Sequence, residues 1–341
     1  TDNARCLIAL ALSTGQVGRE GAGLHPLRGQ NNVQGASDAG LIPMVFPDYR
    51  SVENPDFRGK LENLWGTKLD PNKGLTVVEI MNAVHENTIK GMYVQGENPA
   101  MSDPDQKHAR EGFAMLEHLV VQDIFPTETA FFADVVLPAS SQAEKLGTYT
   151  NTNRQIQIGR PIVDLPGDSR QDWEVIVQIA NRIGCGWDYK DISDVFKEMS
   201  QTMASLDNIT WDRLLEEDAV TYPSSGPKTP GQEILFGEGF PTPSGKGKIV
   251  PADLVPPDEL PDDEFPLVLT TGRMLEHWHT GAMTTRSEAL SAHEPEPVVS
   301  MHPKDIGRMR LKRGEKVRVE TRRGGITLKV RADRDVTQGM L

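Results

Sequence analysis

Apolar positions recur at helical spacing in a few stretches of the chain, with short unbroken apolar runs between them. Residues 4–14 carry a nearly continuous apolar pattern. It predicts a largely buried helix, capped by Asp2 or Asn3 and closed just before Gly15. Thr76-Val77-Val78-Glu79 has the spacing of a capping box, in which hydroxyl and carboxylate each satisfy a backbone donor of the first turn. The helix it opens places Val77, Ile80, Met81 and Val84 on one face and ends near Gly91. Residues 92–94, 119–121 and 134–137 read as short strands, the first two buried. Between the first two, Ser102 or Asp103 caps a further helix with Pro104 at its first position. Before the third, Thr127 caps a short helical segment. Alternation of this kind predicts an α/β fold, a parallel sheet with helices on both faces. Residues 172–184 are amphipathic, with Trp173, Ile176, Ile179, Ala180 and Ile183 as the core face.

The polar stretches carry the candidate chemistry. Residues 24–40 hold Arg28, Gln30, Asn31, Asn32 and Gln34 among Gly29, Gly35 and Gly40. Burying so many donors without partners costs about 1–3 kcal/mol each, so a packed strand or helix face is excluded. Two readings remain: a loop of donors for an anion or large polar cofactor, and a solvated loop with Arg28 in a salt bridge. Residues 143–157 read as an ordered polar loop, where Arg154 pairs with Glu144 or with a phosphate. Residues 221–264, rich in Pro, Gly and acidic side chains, read as a connection, and residues 266–271 as a strand. From Glu315 onward, Val317, Val319 and Thr321, then Ile326, Leu328 and Val330 across the turn, predict a β-hairpin with one buried face.

In a parallel sheet a ligand lies beyond the carboxyl ends of the strands, where Glu97, Asn98, Gln122 and Asp123 fall. A carboxylate there accepts from the N1–H and amino group of guanine or from ribose hydroxyls. The free N–H groups of the helix after Asp103 suit a phosphate. The alternative is that Asp103 and Asp123 serve only as caps or turn residues. No G-x-G-x-x-G follows a strand, so no nicotinamide site is expected in this chain. His277 and His279 stand at alternate positions, yet no third His or Cys lies nearby and zinc is not expected.

Composition narrows the partners. A net charge of −13 disfavours nucleic acid, and no run approaches the length of a membrane span. No secretory signal is visible, and the two cysteines, Cys6 and Cys185, form no pair motif, so a reducing, cytoplasmic setting is expected. The chain opens on Thr1 and stops at Leu341 just after the hairpin, which suggests a fragment of a longer polypeptide.

G-Q-N-N-V-Q-G preceded by P-L-R resembles the substrate-site loop of the molybdenum- or tungsten-dependent formate dehydrogenases, in the molybdopterin oxidoreductase superfamily. Further segments match in order. Y-V-Q-G-E-N-P, S-D-P-D and V-V-Q-D-I-F-P-T-E-T-A occupy the places where that family holds the guanosine dinucleotide arm of its pterin cofactor. The resemblance thereby implies cofactor contacts at Gly96, Glu97, Asn98, Ser102, Asp103, Gln122, Asp123 and Thr127. Residues 143–157 resemble the family's E-x-x-G-T-x-T-N-x-x-R segment. T-T-G-R-M-L-E-H-W-H-T-G-A-M-T resembles its pyrophosphate-contacting stretch and implies roles for Arg273, His279, Thr280 and Thr284, with Arg286 a further candidate.

The resemblance implies a catalytic subunit that oxidises formate to carbon dioxide, at Mo or W carrying two molybdopterin guanine dinucleotides. Arg28 would bind the substrate carboxylate through its planar fork, with Gln30 orienting it. The family's metal ligand (Cys or selenocysteine), the neighbouring His and the iron–sulfur cysteines would lie in an upstream half, so this polypeptide alone is expected to be inactive. Neither Cys6 nor Cys185 is assigned as a metal ligand. A-S-D-A-G-L-I-P-M looks most like the soluble NAD-linked branch, implying iron–sulfur and flavin NAD-reducing partner subunits. The expected layout is residues 1–30 as the tail of an upstream α/β domain with the substrate loop, and 31–220 as the αβα dinucleotide-binding region. Residues 221–264 connect it to 265–341, the start of a six-stranded C-terminal β-barrel. The rivals are a nitrate reductase-like enzyme of the same superfamily, a non-catalytic scaffold akin to the large iron–sulfur subunit of respiratory complex I, and a free-standing guanine-nucleotide module.

Overall fold

Asn54 closes its side-chain oxygen onto the amides of Asp56 and Phe57, at 3.0 and 3.1 Å, and so opens one of the better-defined helices of the chain. The structure is a computed structural model that describes residues 2–253 and 255–341. Two compact units form: residues 1–97 with 107–253, and residues 98–106 with 254–341.

The first unit begins with helix α1 (Asp2–Ser13) and the short α2 (Val33–Asp38), then the two-residue strands β1 (Val45–Phe46) and β2 (Arg50–Ser51). α1 departs from expectation. Asp2 and Asn3, expected as the cap, are both already helical. Only Ala11 is buried, while Leu7 and Leu10 are 60% and 62% exposed, so the helix is not the buried one its composition suggests. Its contact with the unit runs along Ala11 and Leu12, the latter seated against Gly247.

α3 (Pro55–Trp65) and α4 (Val77–His85) follow. α4 has the full reciprocal capping box of Thr76 and Glu79, and it buries Met81 and Val84 but leaves Val77 in solvent. Strands β3 (Gly91–Gln95), β4 (His118–Asp123) and β5 (Val135–Pro138) form the expected parallel sheet in the order β3-β4-β5. Only the central strand is sealed: Leu119, Val121 and Gln122 are buried, whereas Tyr93 on β3 and Val135 and Val136 on β5 are exposed edge residues. Between β3 and β4 lie α5 (Pro99–Ser102), which belongs to the second unit, and α6 (Gln106–Met115). Pro104 therefore does not start the helix. Asp103 instead accepts the Asp105 amide at 3.1 Å, a turn that delays the helix to Gln106. α6 packs on α4 through the Gly112 backbone under Met81 and through His85 and His108, whose rings stack at 3.9 Å.

Residues 143–157, expected as a loop, form most of an antiparallel hairpin, β6 (Gly147–Thr150) and β7 (Gln155–Gly159). α7 (Asp172–Arg182), α8 (Ile192–Thr202), α9 (Trp211–Glu217) and β8 (Ala219–Thr221) complete the unit, with β8 antiparallel to β7. Their core gathers Ile156, Phe196, Met203, Leu206, Ile209, Leu214 and Val220. α7 is the helix expected, but its core face is so only in part: Ala180 is buried as expected and Val175 with it, while Ile176, Ile179 and Ile183 are exposed.

The second unit adds α10 (Glu288–His293), β9 (Val298–Met301), α11 (Pro303–Arg308), β10 (Lys316–Thr321) and β11 (Gly324–Ala332). β10 and β11 are the expected hairpin, turning at Arg322-Arg323, and β9 joins β11 in parallel. Val299, Met301, Ile306, Val319 and Val330 fill the core. Among the described residues this is a three-stranded sheet and not a closed barrel. Residues 266–271 do not form the expected strand. They make a single parallel bridge, Val268 to Met340, with backbone hydrogen bonds to Gly339 and Leu341 on either side of it.

Candidate functional site

The R-G-Q-N-N segment leaves Arg28 and Gln30 exposed on an irregular stretch, and the chain turns into α2 at Asn32, which sits at φ 61°. The expectation of a loop through residue 40 thus holds only for the first part. The second half is helical, because its polar side chains find protein partners. Asn31 donates to Gln142 Oε1 at 2.9 Å, and Asn32 Oδ1 accepts the Thr150 amide at 2.9 Å. His25 contacts Thr152 Oγ1 at 3.0 Å. The loop is therefore fastened within the first unit on both flanks of Arg28, by His25 and Asn32 to the β6–β7 hairpin and by Asn31 to Gln142 just before it.

Behind the loop lies a cavity of about 530 Å³. Asn32, Gly35 and Asp38 border it on one side, Lys145 and Asp172 on another, and Phe196 and Trp211 floor it. Two of its lining residues, Lys145 and Asp172, belong to a polar network that runs on into the parallel sheet. The fully buried Gln122 donates to Asp172 Oδ1 at 2.7 Å and accepts from the Tyr93 hydroxyl, and Lys145 binds the other Asp172 oxygen. Burial and the Asp172 charge both push the Tyr93 and Tyr149 hydroxyls up from their ordinary value. Arg154, at φ 65°, donates to the Tyr222 and Glu233 carbonyls rather than to Glu144, and Glu144 closes a capping box with Ser141. Burial holds the Arg154 guanidinium below its ordinary value.

At the strand ends, Gly96 and Glu97 follow β3 in the first unit, while Asn98, Ser102 and Asp103 belong to the second. Asp123 ends β4 and accepts the Ile124 amide at 2.7 Å, as a turn carboxylate does. Thr127 is 3% exposed and its hydroxyl has no hydrogen-bond partner among the described residues; it does not cap the 3₁₀ turn at Ala130–Phe132. Ser140, two residues past β5 and equally buried, also has an unpartnered hydroxyl.

In the second unit Arg273, His279 and Thr280 are exposed, and His279 sits at φ 49°. Thr284 is engaged locally: its hydroxyl accepts the Trp278 amide at 3.1 Å and meets His277 Nδ1 at 3.2 Å. His277 Nε2 meets the Glu294 carbonyl at 2.7 Å, and no metal-binding group of three acidic, His or Cys side chains occurs among the described residues. Asn98, Ser102 and Asp103 thus share a unit with Arg273, His279, Thr280 and Thr284, separately from Arg28 and Gln30. Sequence reasoning missed Lys145, Asp172 and Ser140; a carboxylate at the start of an amphipathic helix was their one visible signal.

The model of the molybdopterin oxidoreductase family matches residues 1–182, more than half of the chain. The chain belongs to this family. The molydopterin dinucleotide binding domain matches residues 267–341. The F420-dependent formate dehydrogenase subunit alpha of Methanocaldococcus jannaschii is 43% identical over 342 residues, covering 100% of this chain and 50% of that protein. The F420-dependent formate dehydrogenase 1 subunit alpha of Methanococcus maripaludis is 41% identical with the same coverage. The chain spans about half the length of these relatives. Among solved structures, acetylene hydratase from Pelobacter acetylenicus superposes with a TM-score of 0.61 at 21% identity, over 83% of this chain and 41% of that one. At that identity the likeness speaks for the fold alone.

For a molybdopterin oxidoreductase, the unpartnered Thr127 and Ser140 hydroxyls are a fit for a polar cofactor, since buried hydroxyls left unpaired cost about 1–3 kcal/mol each. Both follow the carboxyl ends of parallel strands, where such a ligand binds. The names of the two relatives give no support to NAD as the electron acceptor.

Proposed function

We propose that this chain forms the substrate-loop and dinucleotide-binding portion of a formate dehydrogenase catalytic subunit, which oxidises formate to carbon dioxide. The observation that carries the reading is the exposed Arg28 in R-G-Q-N-N, within a chain 43% identical along its whole length to a formate dehydrogenase alpha subunit. Bound Mo or W with two molybdopterin guanine dinucleotides would supply the two-electron acceptor.

The chain's own residues bind and orient. Arg28 offers two parallel N–H donors to the formate carboxylate, a geometry a lysine lacks, and its charge favours negative charge at the reacting centre. Gln30 holds the carboxylate's orientation through its amide. In the first unit, Gly96, Glu97, Asp123 and Thr127 would contact a dinucleotide at the strand ends. Taken by itself, the second unit offers Asn98, Ser102, Asp103, Arg273, His279 and Thr280 as dinucleotide contacts. Gln122 and Thr284 act from behind, because their side chains are already engaged by Asp172 and by Trp278.

With only two cysteines in the chain, iron–sulfur clusters would be held elsewhere in the assembly. The relatives' names favour an F420-dependent reaction over an NAD-dependent one. No helix among the described residues is long and apolar enough to cross a membrane. The test is the mass and the Mo, W and Fe content of the protein isolated from its source, with formate-dependent dye reduction. Formate oxidation by a Mo- or W-bearing protein is expected; a metal-free protein without that activity overturns the reading.

A further inference from the structure

Glu198, in the second half of α8, is half-buried, and its carboxylate bonds to two neutral donors. The Trp65 indole N–H donates to Oε1 at 2.8 Å, and the Tyr189 hydroxyl donates to Oε2 at 2.5 Å. Trp65 is the last residue of α3, and Tyr189 stands shortly before α8. Burial first, and the bond to Glu198 second, push the Tyr189 hydroxyl up from its ordinary value. The phenol therefore keeps its proton, and Glu198 keeps its charge. No ion pair answers that charge among the described residues; the neighbouring Lys190 is paired with Asp188 instead.

Trp65, Tyr189 and Glu198 line a cavity of about 280 Å³ within the first unit. Phe46 adds a third ring to its wall, and Val195 and Met199 give it an apolar side. Trp187 backs the Tyr189 ring edge-on, with ring centres 6.1 Å apart. A carboxylate held by neutral donors loses hydration without gaining an opposite charge, a cost that a bound cation offsets. Its two bonds use one lone pair on each oxygen, so each can still face a cation. Aromatic rings attract a cation over their faces, Trp most strongly, and quaternary ammonium groups are bound in this way.

The kind of cation follows from the acceptors. Among the lining side chains only Tyr189, Glu198 and Thr202 carry oxygen, and the Thr202 hydroxyl already donates to the Met199 carbonyl at 2.9 Å. A primary ammonium brings three donors that such a wall leaves underused, whereas a methylated one brings one or none and offers methyl groups to the rings. The volume is at the small end for ligand pockets and suits a compact head group.

We propose that this cavity binds a methylated ammonium group, with Glu198 as its counter-charge and Trp65, Tyr189 and Phe46 as its aromatic walls. The site does not depend on the formate reading.

The test titrates the full-length protein with tetramethylammonium chloride, read by saturation-transfer NMR on its methyl protons, with ammonium chloride at equal ionic strength as the competitor. Saturable binding is expected, displaced by ammonium only at about tenfold or greater excess. Glu198→Gln, which removes the charge, and Trp65→Leu, which removes the strongest ring, should each weaken binding about tenfold. Choline and a peptide carrying trimethyl-lysine then separate the two sources of the same group, a free amine and a protein side chain; binding of either supports the site. Absence of saturable binding, equal competition by ammonium, or wild-type affinity in Glu198→Gln overturns the proposal. If Glu198→Gln does not accumulate as folded protein, wild-type affinity in Trp65→Leu overturns it, since Trp65 is 37% exposed at a helix end and its loss leaves the core intact.

Discussion

The Gln122 amide, with no exposed surface, donates to Asp172 Oδ1 at 2.7 Å and so ties the central strand of the parallel sheet to the first residue of α7. Lys145 takes the second oxygen of Asp172, and Tyr93 donates to the Gln122 oxygen. A strand, a helix start and a segment before the β6–β7 hairpin are thereby held by one chain of polar contacts. Inside a protein such networks are worth more intact than in part, since each broken link leaves a buried group unpaired.

Gln122→Leu keeps the volume but removes both links. It should destabilise the protein by about 2 kcal/mol, chiefly by stranding the Tyr93 hydroxyl and one Asp172 oxygen. Denaturant unfolding would read the loss as a lower midpoint at unchanged slope. Unchanged stability would mean that the network is not a support for the strand end.

The Thr76–Glu79 box offers a test with a pH signature. Thr76 Oγ1 accepts the Glu79 amide, while Glu79 Oε2 accepts the Thr76 amide at 2.7 Å. Thr76→Ala should cost about 1 kcal/mol. The Thr76 backbone N–H, and next its hydroxyl, hold the Glu79 carboxyl below its usual 4.5. A depressed folded value means that the stabilisation is fully present above the unfolded value and is lost as pH falls through the folded one. The gap in melting temperature between the wild type and Glu79→Ala should therefore be constant near neutrality and close on acidification below the usual Glu range. A gap that persists in acid would count against the charge as its source.

How much could be seen in the sequence divides along physical lines. Local signals were legible: the capping box of α4, the three strands of the parallel sheet and the β10–β11 hairpin each depend on neighbours within a few residues. What depends on distant partners was not. Ile176 and Ile179 of α7 repeat at helical spacing, but the face that packs carries Val175 and Ala180, because periodicity names a stripe without naming what covers it. The T-Y-T-N-T-N run hid the β6–β7 hairpin, since its polar residues are held by cross-strand pairing and by Asn32. α8 and α9 went unassigned although Asp191 caps the first and Thr210 the second, both visible signals. At the candidate site, the R-G-Q-N-N motif was visible in the sequence; the tie of Asp38 to Tyr222, 184 positions away, was not.

Gly35 tests how the R-G-Q-N-N loop is seated. A Cβ there would lie 2.2 Å from Asn32 Oδ1 and 3.1 Å from Thr150 Oγ1. Gly35→Ala must therefore displace the Asn32 carboxamide from the Thr150 amide, its 2.9 Å link to the hairpin. Faster hydrogen exchange at Thr150, with little change elsewhere in the hairpin, is the expected result. Wild-type protection at Thr150 would show that the loop does not need this anchor.

Arg28 itself gives the sharpest prediction. Its side chain is exposed, so substitution should not disturb the fold. The loop on either side of it is fastened by His25 to Thr152 and by Asn31 to Gln142, so a truncated side chain leaves the backbone where it was. In the full-length enzyme Arg28→Ala should lower formate turnover by about 10²–10³, the usual effect of removing a donor that stabilises charge at the reacting centre, with metal content and melting temperature unchanged. Arg28→Lys keeps the charge but loses the bidentate fork, and should recover little of the activity. Full recovery by lysine would reduce Arg28 to a general cation, and unchanged turnover in both variants would take it out of the site.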